Sequence, residues 1–548
     1  MGSLSGPVLR RMAEVGRTLE IRGGEFLLRS GELGEELYLV LSGRLEVERE
    51  GELLAEIGAG DLLGEIALLC QVPRTASVRA VRDSTILELS RSVAKESLST
   101  MPEALFELFE LIGKRLLQLK TMKASTPRVI AITPTDSGNT VTSVAVDAYI
   151  QEARSQGRVI VVEDAQSTDR LRLHELEADF DHVFLVTDGK PSEWTRWCWR
   201  HADRIVVLCS ASESTPSPVE RALYDDRDSR IHARILLGIL HHKLPRGMRS
   251  FLSERRPHMH FNLIGPECIA RLVRCTLGKG VGLVLSGGAA RGFAHVGVLR
   301  ALLEKNIPVD WVGGTSVGSA AAAGFAQGNG LEEVDEAAHT IGCRAVVDLT
   351  LPFVGLAAGR QLKKRLLRLT DGRDIEDLVL PFFAMVTDLV GGKGMALCRG
   401  PVWRAVRASM SIPGVYSPVR IDDAVCVDGG LVANFPVGEM QRIPEIGVVI
   451  GVSVGGGAQI NAFGVPVDGV FSGWKRLVRK VRGPSIVSVL FSSAQLTDQG
   501  DAEPDLLICP EVSGTGIFEF TAGERLIDAG YRAALPAFEE AGDGFWKR

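Results

Sequence analysis

At 548 residues the chain exceeds what one hydrophobic core holds, and its length suggests roughly three or four domains. A composition of 45% hydrophobic and 24% charged residues excludes a disordered or fibrous protein, and a net charge of −6 argues against nucleic acid as a partner. Nine dispersed cysteines without a C-x-x-C pair read as reduced thiols in a cytoplasmic protein with no metal site.

In chain order, residues 1–11 lack the apolar core of a signal peptide, and no window reaches the ~18 uninterrupted apolar residues of a membrane span. The expectation is a chain peripheral to a membrane at most. Residues 24–90 read as β: Leu37, Leu39 and Leu41 alternate, Ser42-Gly43 turns, Leu45 and Val47 alternate, and 85–89 form a further strand. Short strands with glycine turns predict a small barrel or jelly roll. Residues 102–122 turn helical, with Leu105, Leu108, Leu111, Ile112, Leu116 and Leu117 on one stripe.

From 128 to 242, apolar runs at 129–132, 159–162, 183–186, 205–208 and 235–237 alternate with helical stretches. Continuous apolar strands belong to a parallel sheet covered on both faces. The first turn, residues 133–140, sits where a P-loop would but lacks its lysine, and reads as a nucleotide fold without nucleotide. Residues 244–257, with Arg246, Arg249, Arg255 and Arg256, read as a basic linker.

A second α/β region begins near Gly280. The apolar run 281–285 is followed by Ser286-Gly287-Gly288-Ala289-Ala290-Arg291-Gly292 and a helix from about Phe293. Glycines between a strand and a helix N-terminus point N–H groups at an anion, and a phosphate or an acyl-transfer oxyanion both fit. The next unit carries Gly314-Thr315-Ser316-Val317-Gly318, the pattern of a nucleophile elbow. A serine triad would need a later histidine, and the ten histidines end at His339. In place of a histidine the chain offers Asp428-Gly429-Gly430, after the apolar run 424–427. His295, inside the helix after the glycine loop, reads as a packing or hydrogen-bonding residue. Each motif is expected at the carboxyl end of a strand, where open α/β sheets place their sites.

These motifs make residues 281–439 resemble the patatin-like phospholipase domain, with Ala408-Ser409-Met410-Ser411-Ile412-Pro413-Gly414 and Asn434-Phe435-Pro436 similar to its flanking segments. One departure is Ala289, where the family often has a third glycine; alanine keeps the N–H and is compromised only by a positive φ. The resemblance implies a Ser-Asp dyad: Ser316 attacks an ester carbonyl, and Asp428, with a raised pKa or a tight hydrogen bond, takes its proton. It implies an oxyanion hole from Gly287, Gly288, Ala289, Arg291 and Gly292, each donor worth ~3 kcal/mol. Gly314 and Gly318 frame the elbow, and Arg291 either orients the loop or meets a phosphate head group.

Upstream, Gly64-Glu65-Ile66-Ala67-Leu68-Leu69 and Pro73-Arg74-Thr75-Ala76-Ser77-Val78 resemble the phosphate cassette of cyclic-nucleotide-binding domains. By that resemblance Arg74 takes the cyclic phosphate of cAMP or cGMP and Glu65 the ribose hydroxyl, with Gly64, Thr75, Ala76 and Ser77 around them. The combination is similar to the neuropathy target esterase family, whose larger members carry a membrane span and more nucleotide domains; the expectation is a compact bacterial relative. The implied fold is multi-domain: a β jelly-roll nucleotide-binding domain with its helix (10–122), a Rossmann-like α/β middle region (127–245), an α/β patatin-like hydrolase (281–441) and its completion (442–548). The implied activity is hydrolysis of phospholipid or lysophospholipid esters under cyclic-nucleotide control, without a catalytic cofactor; the alternative is a catalytically silent nucleotide-responsive binding protein. Finally, Trp474, Leu477, Val478 and Val481 form an apolar face opposite Lys475, Arg476, Arg479, Lys480 and Arg482, either a basic helix for a membrane surface or a helix covering the core.

Overall fold

A computed structural model of the chain describes residues 15–49, 52–64, 73–92, 127–136, 140–163, 173–225, 234–328, 330, 355–357, 359–455, 502–516, 519–542 and 544–547. The predicted helices at 102–122 and around 474–482 lie outside these residues. The chain divides into two compact units, residues 1–240 with 254–260, and residues 241–253 with 261–548.

The first unit opens with two four-stranded antiparallel sheets. One orders Arg17–Ile21, Ser84–Leu89, Leu37–Ser42 and Leu62–Leu63; the other orders Phe26–Leu28, Ser77–Ala80, Arg44–Arg49 and Glu52–Gly58. Tyr38, Val40, Leu45, Val78 and Ile86 are among the residues filling the space between them. The predicted alternation fails in Leu37–Ser42. Residues Leu37, Tyr38, Leu39 and Val40 are all buried, and Leu41 is turned out, because the register against Ser84–Leu89 slips between Val40 and Ser42.

The same unit continues into a parallel sheet, in the order Val159–Val162, His182–Val186, Val129–Pro134, Arg204–Ser210, Ile235–Leu240 and Met259–Leu263. After the strand Val129–Pro134, Thr135 Oγ1 donates to Glu213 Oε2 at 3.1 Å. A carboxylate therefore stands against the start of that turn. The β-sandwich and this sheet are joined by a buried ion cluster. Arg82 pairs with Glu177 and, at 2.8 Å, with Asp203, while Arg44 reaches the other oxygen of Asp203 at 3.7 Å.

Residues 244–257 are not a plain linker, a correction to the expectation from sequence. Arg255 is wholly buried and donates through Nε to Glu220 Oε1 at 2.7 Å, and Arg246 pairs with Asp371. These two charges are anchors, each with a partner far along the chain.

The second unit is built on an eight-stranded sheet. Its path runs Val419–Ile421, Ala424–Asp428, Phe382–Asp388, Trp311–Thr315, Gly280–Leu285, Ile446–Val452 and Leu506–Ile508, with Lys393–Leu397 also paired to Phe382–Asp388. The strands from Phe382–Asp388 through Leu506–Ile508 along this path run parallel, with Ala424–Asp428 and Lys393–Leu397 antiparallel to Phe382–Asp388. Residues 446–452 and 506–508 extend the sheet, and the helix Gly523–Ala541 lies against Phe293–Glu304. The two helices approach until backbones touch, since a side chain at Gly297 or Gly530 would strike Ile527 or Ala294 carbonyl oxygens.

Candidate active site

Trp311–Thr315 delivers the chain to Ser316, and the helix Val317–Ala326 starts immediately after it. Ser316 sits at φ +53° and ψ −122°, a strained conformation for a residue with a side chain. The flanking glycines are forced by the neighbouring strand: a Cβ at Gly314 would lie 2.6 Å from Leu285 O, and one at Gly318 would lie 2.6 Å from Ser286 O. The strain is held from one further side. Ser409 Oγ accepts the Ser316 N–H at 2.9 Å and donates to Met385 O at 2.6 Å.

Asp428 arrives from the opposite direction. Asp428 is the last residue of Ala424–Asp428, a strand that runs antiparallel to Phe382–Asp388. Register explains how it still reaches the site: Thr315 pairs with Met385, and Asp428 with Val386, one residue on. Ser316 Oγ donates to Asp428 Oδ2 at 2.7 Å, and the Gly430 N–H donates to Oδ1 at 2.8 Å. Thr387 Oγ1 donates to the Asp428 carbonyl at 3.0 Å. Burial pushes the Asp428 carboxyl up to about 7, against the smaller opposing pull of the Gly430 and Ser316 hydrogen bonds. A carboxylate so shifted is matched to general-base work near neutral pH.

The glycine loop lies beside this pair. The place a side chain at Gly287 would take is 3.5 Å from Ser316 Cβ, and it is blocked by Asn434 Oδ1. Gly287 is expected among the oxyanion donors, but its N–H is committed to Asn434 O at 3.0 Å. The N–H groups of Gly288 and Ala289 have no acceptor among the described residues. Ala289 does take the positive φ that alanine tolerates poorly, +48°. Arg291 donates through Nε to Thr515 O at 3.1 Å and its N–H to Gly288 O, so it ties the loop to the C-terminal segment. A side chain at Gly292 would collide with Val317, which brings the loop's end against the elbow helix. Behind the loop, buried His295 donates from Nε2 to Ser286 O at 2.8 Å, and burial lowers its pKa to about 4. It is a neutral brace.

In the β-sandwich, Arg74 and Gly64 come together. Buried Arg74 donates from Nη1 to Gly64 O at 3.4 Å, and from Nη2 to Glu36 O and Glu36 Oε2 at 3.0 and 3.2 Å. Glu36 escapes the sequence reading, for a charge in a different turn leaves no local signal. Thr75 accepts through its carbonyl from Arg49 Nε, and Ser77 Oγ accepts from Ser30 N, so neither polar group is idle; Ala76 lies between them. Glu65 lies outside the described residues.

Two protein families match this chain: Patatin-like phospholipase over residues 283–440 and Cyclic nucleotide-binding domain over 18–100. An uncharacterized NTE family protein of Mycobacterium tuberculosis is 30% identical over 450 residues, covering 79% of this chain and 75% of that one. The chain belongs to the NTE family. Patatin-like phospholipase domain-containing protein 6 of Homo sapiens is 27% identical, over 99% of this NTE-family chain and 45% of its own length. Patatin-like phospholipase domain-containing protein 7 of Mus musculus is 27% identical, over 95% of this chain and 45% of its own. Among solved structures, the Thermus thermophilus catabolite activator protein is similar at 24% identity and a TM-score of 0.20, over 28% of this chain and 64% of that one. This NTE-family chain is a lipid ester hydrolase, with a cyclic-nucleotide-binding domain ahead of its patatin domain. Among the described residues no helix is long and apolar enough to cross a membrane.

Proposed function

We propose that the chain hydrolyses acyl esters of phospholipids or lysophospholipids through a dyad of Ser316 and Asp428. The single observation that carries this is the 2.7 Å hydrogen bond from the serine hydroxyl to a buried carboxylate whose pKa stands at about 7. Asp428 in its ionised form accepts the proton as Ser316 Oγ bonds to the acyl carbon. The Gly288 and Ala289 N–H groups stabilise the oxyanion, and collapse of the tetrahedral species expels the lysolipid or glycerophosphoryl alcohol with that proton. Water, deprotonated by Asp428, then releases the fatty acid and restores the serine. Gly287, Arg291 and Gly292 shape the loop, Gly314 and Gly318 the elbow, and Gly429 and Gly430 the turn that holds the base.

A cyclic nucleotide, cAMP or cGMP, binding at Arg74 is the second part of the reading. Glu65, Thr75, Ala76 and Ser77 complete that site, in a domain spanning 10–122 ahead of a middle region at 127–245 and a hydrolase at 281–548. The test is labelling by a fluorophosphonate and hydrolysis of a lysophospholipid with and without cyclic nucleotide. Labelling should vanish in Ser316→Ala. Turnover equal to wild type in Ser316→Ala or Asp428→Asn defeats the dyad.

A further inference from the structure

Three exposed apolar side chains gather at the catalytic edge of the hydrolase sheet. Leu389 is 54% exposed and Val390 70%, both on the turn that joins Phe382–Asp388 to Lys393–Leu397, and Val432 is 42% exposed four residues past Asp428. Single exposed apolar residues need no explanation, but Leu389 and Val390 are consecutive, and Val432 lies beside the stem of the hairpin that carries them. A Cβ at Gly394, at the base of the hairpin, would touch Val432 Cγ1 at 3.4 Å.

Turns are normally polar, and this one is held in shape by a polar residue that faces inward. Asp388 is buried, and its carboxylate accepts the N–H groups of Val390 and Gly391, both at 2.9 Å, and of Val425 at 3.3 Å. With those bonds made, the apolar side chains are fixed on the outside. Register sets their height. Met385 is level with Thr315, so the turn stands at least three residues beyond Ser316 on the same edge, an overhang of about 10 Å. That matches the ~5–10 Å to which interfacial elements enter the headgroup region.

We propose that the turn at residues 389–392, together with Val432, docks the hydrolase on a lipid bilayer surface, with the Ser316 edge facing the membrane. The proposal rests on the lipid-ester reading of the site, because an ester that leaves a bilayer must enter at this edge. Charge around the patch is balanced: exposed Lys393 and Arg420 stand beside exposed Asp422 and Asp423, and Arg420 pairs with Asp423 at 4.0 Å. Docking is therefore apolar in character and indifferent to anionic lipid.

The test uses the full chain and phosphatidylcholine vesicles, with Leu389→Ser/Val390→Ser against wild type. Expected are a tenfold or greater loss of vesicle partitioning and a parallel loss of vesicle-lipid hydrolysis. Hydrolysis of p-nitrophenyl butyrate, a small ester in solution, should stay within twofold, which also reports an intact fold. Wild-type binding should survive roughly 0.5 M salt, where charge attraction is screened within a few ångströms. Equal partitioning of the two proteins overturns the proposal, as does wild-type binding that salt abolishes or that requires anionic lipid. If wild type binds the vesicles through the turn yet leaves their esters intact, docking stands and the substrate reading falls.

Discussion

Ser316 and Asp428 meet although their strands run in opposite directions, their side chains 2.7 Å apart where the two strands end against successive residues, Met385 and Val386, of Phe382–Asp388. The serine has the strained backbone and the aspartate the shifted pKa, and both are buried in the same small space.

Activity should track the ionised form of Asp428. With its pKa at about 7, kcat/KM for a small ester should fall close to tenfold per pH unit below ~6 and level off above ~8. A midpoint near 4, the ordinary carboxylate range, would remove the buried-base account.

The same shift has a stability consequence. The folded-state pKa of Asp428 lies above the ordinary aspartate value of 3.8, so the native protein holds the proton more tightly than the unfolded chain between those limits. Stability from this group is therefore greatest at low pH and lost as pH rises toward 7. Asp428→Asn removes the charge and should stabilise the protein by roughly 2–4 kcal/mol at about pH 8, with the gain shrinking toward pH 4. Thermal melts at the two pH values check this, and activity should drop by about 10³-fold or more in the same variant.

Gly318→Ala should destabilise by about 2 kcal/mol or more and abolish turnover, because the new methyl meets backbone carbonyls of Leu285 and Ser286 that cannot yield. Ala289→Gly should instead keep activity. The strain relieved at φ +48° offsets the entropy of the added glycine, leaving stability within about 1 kcal/mol. Urea unfolding and a small-ester assay separate the two cases.

In the first unit, Arg82→Ala leaves Glu177 and Asp203 buried beside an empty place. Removing one partner of such a cluster costs about 3–5 kcal/mol, so the first thermal transition should move down sharply. Arg82→Met with Glu177→Gln, which removes both charges, should lose much less.

Glu36 pairs with Arg74 at 3.2 Å, which in the proposed nucleotide site makes it a rival to the cyclic phosphate. Binding of a fluorescent cyclic nucleotide should disappear in Arg74→Leu and tighten about three- to tenfold in Glu36→Gln, since the neutral amide no longer pairs with the guanidinium. Weaker binding in Glu36→Gln would make that carboxylate a support of the site rather than a rival.

Much of the fold is local and therefore legible. Apolar runs such as 129–132 and 281–285 announce buried parallel strands, because both faces of such strands must be covered. The elbow and Asp-Gly-Gly motifs declare themselves because Gly314, Gly318 and Gly429 each stand where any side chain would strike backbone. Contacts across space are not written locally. Arg255 reads as linker charge until Glu220 lies against it, Leu41 reads as inward until a register slip turns it out, and Gly287 reads as a free donor until Asn434 takes its N–H. Read alone, the chain already names the residues able to carry acyl transfer: a serine elbow, a glycine loop and an aspartate with no later histidine. It cannot say that the aspartate's pKa is pushed up to about 7. That property belongs to the folded sheet, because it depends on how completely the packed strands remove the carboxyl from water.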